Sequence, residues 1–157
     1  MNIDWTGVLL GVGAGLLFLA VYFYFFSRWL KARRAQTLLR ADFDHVDGAT
    51  FEKIVADALT RRGYRVQHTG KAGDLGVDLI AEKGALRFAV QVKRQTNPVS
   101  RHAVSDAVAG KAHYNCNAAM VVTNNIFSQG AHDLAKSNGC KLVDRNVLAD
   151  WMMDAGK

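Results

Sequence analysis

A small set of polar residues stands where a folded core would not admit them without a use. Along residues 86–93 the side chains alternate: Phe88, Val90 and Val92 point one way, Ala89, Gln91 and Lys93 the other. Gln91 and Lys93 are therefore neighbours on one face of a strand. Asp78 lies in the preceding apolar segment, between Val77 and Leu79. If the two segments pair as an antiparallel hairpin across Lys83 and Gly84, Asp78 sits opposite the Gln91–Lys93 end. Glu52 borders the apolar arc of an upstream helix (Phe51, Ile54, Val55, Ala58, Leu59), from where it can reach the sheet. Asp74, in the glycine-rich stretch 70–76, can lean on the same place. Two carboxylates, an amide oxygen and a main-chain carbonyl are donors that suit a hard divalent cation. An ammonium beside them can stabilise negative charge as it develops.

Singly, each residue has an ordinary reading. Lys93 alone is a solvated lysine, Asp78 a turn or cap residue, and Glu52 a charge favoured near a helix start by the dipole. The joint spacing favours a site. Arg94, Gln95, Arg101 and Lys111 are candidate phosphate contacts, although scattered basic residues are usually solvated. His68, His102 and His113 lack metal-ligand spacing, and Trp151 reads as a core plug for the last helix.

The elements that must position these residues follow from periodicity and punctuation. Asp47 or Thr50 caps a helix that Gly63 ends. Residues 64–69, 77–82 and 86–93 read as strands. Pro98 and Ser100 precede a helix over 101–114. Residues 118–123 are a continuous apolar run, as in a strand buried on both faces. Ser128 caps a third helix, residues 141–144 form a last strand, and 146–153 a last helix. This is an α/β chain with a mixed sheet flanked by helices.

Phe51-Glu52, Gly63-Tyr64, Gly73-Asp74-x-Gly76-Val77-Asp78-Leu79, Gln91-x-Lys93-Arg94 and Val122-Thr123-Asn124 occur in that order. Together they resemble the Mrr-type restriction endonuclease catalytic domain of the PD-(D/E)xK nuclease superfamily, over about residues 47–148. The resemblance implies a restriction-endonuclease-like core and Mg²⁺-dependent cleavage of DNA phosphodiesters, with Mn²⁺ able to stand in and a 5′-phosphate product. Its catalytic set falls on Glu52, Asp78, Gln91 and Lys93. Asp78 is the expected primary metal ligand; Glu52, the Gln91 side chain and the Val92 carbonyl are further oxygens, and Asp74 is a supporting residue. Lys93 would orient water or stabilise the transition state. The superfamily's second acidic position is glutamine here, so weaker Mg²⁺ binding is expected than at a two-acid site.

The N-terminal region has a different character. Residues 5–26 contain no charged side chain, and 22 residues of helix span roughly 30 Å of hydrocarbon. No basic residue precedes the run and no small-x-small cleavage pattern follows, which argues against a signal peptide. A buried core helix would show a polar face. One transmembrane helix over 5–27 is expected, after a short extracytoplasmic end at 1–4. A juxtamembrane linker (28–46) and a nuclease domain (47–155) follow. Arg28, Lys31, Arg33, Arg34 and Arg40 place the C-terminal part in the cytoplasm of a bacterial-type inner membrane. Gly7, Gly11 and Gly15 form a ridge through which two such helices can associate, so a homodimer is possible.

The net charge of +6 is a poor guide to nucleic acid. Residues 1–40 carry five basic and one acidic side chain, leaving only 15 basic against 13 acidic for the rest. Much of the basicity serves topology and anionic-lipid attraction. Cys116 and Cys140 are isolated and read as reduced, small buried hydrophobes. The sequence thus points to a membrane-anchored DNA endonuclease of restriction or defence type. The alternatives are a nucleic-acid-binding module of the same fold that does not cut, and a membrane scaffold.

Overall fold

The computed structural model describes residues 5–70 and 76–153, the side chains of 5–12 and 31–42 excepted. The chain divides into two compact units, one ending at Ala35 and the other beginning at Gln36.

Helix α1 runs Trp5–His45, and residues 28–45 of the expected connector are helical. One window of α1, Gly13–Leu30, is long and apolar enough to cross a membrane. Leu16, Leu17, Phe18, Phe23 and Phe25 on it are all exposed. Gly15 has open space about it. The side chains facing Gly7 and Gly11 lie outside the described residues, as does Asp74.

The second unit begins with the end of α1. Phe43 packs edge-on against Phe51 with ring centroids 5.6 Å apart, so the last turn of α1 belongs to the core. Helix α2 (Gly48–Arg61) starts where the Asp47 carboxylate accepts the Thr50 N–H at 2.7 Å. Phe51, Val55, Ala58 and Leu59 recur at helical spacing and are all buried. That stripe is what α2 spends on the sheet.

Five strands follow: β1 (Arg65–His68), β2 (Leu79–Lys83), β3 (Leu86–Lys93), β4 (Ala118–Thr123) and β5 (Cys140–Val143), adjacent in that order. The first three are antiparallel; β3–β4 and β4–β5 are parallel. The β2–β3 hairpin closes through Gly84 and Ala85, with Lys83 paired to Leu86. Gly84 has φ +60° and Ala85 does not have positive φ. That is the mirror-image turn whose twist matches the strands and which needs glycine at its first position. Each parallel step crosses over through a helix: α3 (Arg101–His113), capped by Ser100, and α4 (Gln129–Asn138), capped by Ser128. Helix α5 (Arg145–Met153) closes the chain.

The sheet has two covered faces. Phe88, Val90, Val92, Met120 and Val122 pack with α2, α5 and Trp151. Ala119 and Val121 pack under α3 and α4, and Ala89 joins Val77 and Ile80. Gln91 pairs with Val121 in the ladder and so shares the α3 face. Central strand β3, sandwiched between helices, is nearly all buried, which is why its one buried polar side chain stands out.

Candidate active site

Asp78 lies one residue before β2 but stays in the ladder, donating its N–H to the Val90 carbonyl at 2.9 Å. Its carbonyl accepts from the Thr69 N–H at 3.0 Å. With its backbone held from both neighbouring strands, the carboxylate is aimed at the end of β3. Its Oδ2 accepts the Val92 N–H at 2.6 Å and the Gln91 Nε2–H at 3.1 Å. Such charge-assisted bonds are short and about twice as strong as neutral ones.

These contacts determine how Gln91 is presented. A carboxylate accepts only from the amide nitrogen, so the amide oxygen must point the other way. That Oε1 is buried and, among the described residues, has no hydrogen-bond partner. An orphaned buried acceptor is worth about 1–3 kcal/mol of lost stability, so a donor or a cation there is strongly favoured. Gly76 lies beside it. A Cβ on it would lie 2.7 Å from Gln91 Oε1 and 2.9 Å from Asp106 Cβ, and its φ is +75°. The loop reaches the site only because residue 76 has no side chain and tolerates positive φ.

Lys93 lies two residues beyond Gln91, on the same face and half-buried. Among the described residues its ammonium makes no hydrogen bond or ion pair. The structure thus brings Asp78, Gln91, the Val92 backbone and Lys93 together at one end of the sheet.

The other expected site residues fall in varied places. Arg94 Nη2 donates to the Asp44 carbonyl at 2.6 Å, and Asn124 Nδ2 donates to Asp44 Oδ1 at 3.0 Å. The turn into α2 therefore lies beside the C-terminal ends of β3 and β4. At its far end, Lys83 Nζ donates to the Arg62 carbonyl at 2.7 Å, so α2 runs antiparallel to β3. Glu52, in the first turn, is thus at the Lys93 end of the sheet. However, α2 covers the face opposite Gln91 and Lys93, and no hydrogen bond or ion pair joins the half-buried Glu52 to them.

Gln95 is tied into a brace through its main chain. Its N–H donates to Asn124 Oδ1 at 2.9 Å, and Asn125 Nδ2 donates to its carbonyl at 3.1 Å. Asp44 also pairs with Arg145 at 3.2 Å. Asn124, buried, links these to α1, which gives the Val122-Thr123-Asn124 pattern a structural role. Arg94 and Arg101 are exposed at the Lys93 end of the sheet. Lys111 is not: its carbonyl accepts the Cys116 N–H at 2.8 Å, beside the start of β3, where Asn117 N–H bonds the Arg87 carbonyl. As α3 runs antiparallel to β3, Lys111 lies at the opposite end from the site.

Asp106 is a residue the sequence reading missed. Its helical neighbours three back and four on, Ala103 and Gly110, are both buried. An acid on the border of an apolar stripe was the available signal.

A mixed five-stranded sheet with helices on both faces makes a restriction-endonuclease-like fold, and an end-of-sheet carboxylate, a buried amide and a lysine gather at one end of it. The chain belongs to the Mrr_cat restriction endonuclease family, whose model matches residues 43–152. No curated protein matches the sequence.

Among solved structures it is similar to the DNA modification-dependent restriction endonuclease AspBHI (TM-score 0.61, 20% identity, 80% of this chain). It is also similar to MspJI restriction endonuclease in complex with a 27-mer oligonucleotide (TM-score 0.57, 21% identity, 76% of this chain). A third likeness is to the protein of unknown function AF1548 (TM-score 0.51, 20% identity, 59% of this chain and 55% of that one). The matches span only 36% of AspBHI and 32% of MspJI, so these likenesses speak for the fold.

Proposed function

We propose that this chain is a membrane-anchored, divalent-metal-dependent DNA endonuclease of restriction type. Its catalytic domain would face the cytoplasm. The observation that carries the reading is the coupled pair Asp78 and Gln91: one hydrogen bond orients both, and it leaves a buried Gln91 oxygen without a partner among the described residues. The donors fit Mg²⁺, and Mn²⁺ in its place, because both take carboxylate, amide and carbonyl oxygens. Asp78, Gln91 Oε1 and the Val92 carbonyl would hold the ion. Glu52 would add an oxygen from around the end of β3.

When bound, such an ion lowers the pKa of a coordinated water and offsets charge on the scissile phosphate. The chain supplies the rest. The Val92 N–H and the Gln91 amide hold the Asp78 carboxylate in one orientation, so no reorganisation is needed at the moment of reaction. Lys93 would bring a positive charge to the same end of the sheet, where it would orient the attacking water or stabilise the pentavalent phosphorus. Arg94 and Arg101, both exposed, would contact flanking phosphates. DNA is the favoured substrate because the AspBHI and MspJI neighbours are described with DNA or an oligonucleotide.

Membrane attachment is supported by α1, whose apolar residues are exposed in a window long enough to span a bilayer. The basic cluster after it favours a cytoplasmic C-terminus. Self-association would run through Gly7, Gly11 and Gly15. Gly11→Ile should abolish it in a membrane two-hybrid assay, and unchanged association would end that part of the proposal.

The test of the enzyme is incubation of the purified full-length chain with methylated and unmethylated plasmid, with Mg²⁺ or Mn²⁺. Nicked or linear product is expected, lowered at least about 100-fold in Asp78→Ala and in Lys93→Ala. Binding at low salt with no product under any condition would favour a non-cleaving nucleic-acid module. Gln91, standing where an acid would strengthen metal binding, is the observation on that side.

A further inference from the structure

The proposed ligand set carries one formal carboxylate on the sheet, Asp78, where a second acid would ordinarily neutralise a divalent ion. Resting on the metal-dependent reading above, the geometry points to Asp106 as a second acidic ligand of the same ion, shared with Gln91.

Three elements converge at this point: the end of the loop at Gly76, strand β3 at Gln91 and helix α3 at Asp106. The position a Gly76 Cβ would occupy is 2.7 Å from Gln91 Oε1, 2.9 Å from Asp106 Cβ and 3.4 Å from Asp106 Cγ. The Gln91 oxygen and the Asp106 carboxyl thus crowd one small volume. Gln91 cannot turn its nitrogen toward Asp106, because that nitrogen already donates to Asp78 Oδ2. Its oxygen is buried without a partner among the described residues. Among the described residues, Asp106 has no hydrogen bond or ion pair either.

An unpartnered amide oxygen and a carboxyl group brought to one place, with no donor for either among the described residues, leave a cluster of negative charge. A cation between them offsets that charge and is coordinated by both. Helix α3 is held rigidly enough for this: Ala103, Val104 and Ala107 are buried against the sheet on either side of Asp106. Backbone at residue 76 then lies so close that only glycine fits, which explains a glycine at a position two residues before Asp78. Asp106 so supplies the negative charge that glutamine at position 91 does not.

The test reads metal binding, not cleavage. Mn²⁺ is titrated into the purified full-length chain in detergent, and free Mn²⁺ is followed by electron paramagnetic resonance. Asp106→Asn keeps the shape and removes the charge; it should raise the Mn²⁺ Kd about 10–100-fold, as loss of a supporting ligand does. Its melting temperature in EDTA should equal or exceed wild type, because the amide removes the charge and can donate to Gln91 Oε1. Asp106→Cys should lose Mn²⁺ affinity and gain Cd²⁺ affinity over wild type, with a thiolate–Cd²⁺ absorption band that Cys116 and Cys140 alone do not produce. If Asp106→Asn binds Mn²⁺ as wild type does while Asp78→Asn does not, Asp106 is no ligand and the metal-nuclease reading stands. An Asp106→Cys chain with unaltered Cd²⁺ binding overturns the inference even if Asp106→Asn misfolds. If wild type binds no Mn²⁺, the metal-dependent reading itself falls.

Discussion

Replacing Gly76 by alanine separates the needs of the site from those of the fold. Its φ of +75° is unfavourable for any residue with a Cβ, at about 1–2 kcal/mol. A second effect comes from crowding: the new methyl would sit 2.7 Å from Gln91 Oε1 and 2.9 Å from Asp106 Cβ. Ordinary contact is 3.4 Å or more, so something must move by roughly half an ångström or more. Asp106 Cβ is fixed by the helix backbone, and Gln91 is pinned to Asp78, so the displacement is transmitted to the Asp78–Gln91 pair. Misplacement of reacting groups on the scale of 1 Å reduces rate about 100-fold.

Gly84 is the control. Its φ is +60°, but a Cβ there meets nothing within 4 Å. Gly84→Ala should therefore lose only the 1–2 kcal/mol of backbone strain, or about 4 °C per kcal/mol in melting temperature, with cleavage unchanged. Gly76→Ala should show at least the same loss of stability and about 100-fold slower plasmid cleavage. Cleavage by Gly76→Ala equal to that of Gly84→Ala would refute the argument that the Gly76 backbone shapes the site.

Gln91→Glu should place two carboxylates at hydrogen-bond distance. In EDTA the melting temperature should fall, by the equivalent of about 1–3 kcal/mol, and added Mg²⁺ should restore it. Equal melting curves with and without Mg²⁺ would contradict a metal site there. Phe51→Ala removes a fully buried ring that packs on Phe43, and should lower the urea-unfolding free energy of the domain by about 3–5 kcal/mol.

Burial pushes the Cys140 thiol up from 9.0 to about 11. The unfolded chain therefore ionises first as pH rises. The stability that the neutral thiol contributes is complete below pH 9 and disappears as pH climbs to about 11. Alkaline melting curves of wild type and Cys140→Ala should accordingly differ in slope between those limits, and parallel curves would contradict it.

Much of the fold was legible locally because local chemistry sets it. Asp47, Ser128 and Gly139 mark helix ends whatever the tertiary context. Alternation over residues 86–93 identified the strand and both of its faces, and correctly put Gln91 and Lys93 side by side. Several boundaries moved, because pairing decides them. Strand β2 begins at Leu79 while Asp78 keeps one ladder bond outside it, and the stretch expected as a linker before α2 supplies Phe43 and Asp44 to the domain.

Side-chain periodicity carries information about which face a residue occupies within its own element. It does not say which face of a sheet a helix will cover. Glu52 was placed correctly at a helix border, yet only packing put that helix against the face away from Gln91. Lys111 likewise lost its place at the site because α3 runs antiparallel to β3. Asp106 and Gln91 lie 15 residues apart, and Gly76 a further 15 before Gln91. Their meeting depends on a hairpin and a crossover helix, which are cooperative products of the whole core. Residue types and short-range spacing were enough to propose the chemistry; the long-range contacts that gather its groups exist only once the sheet has formed.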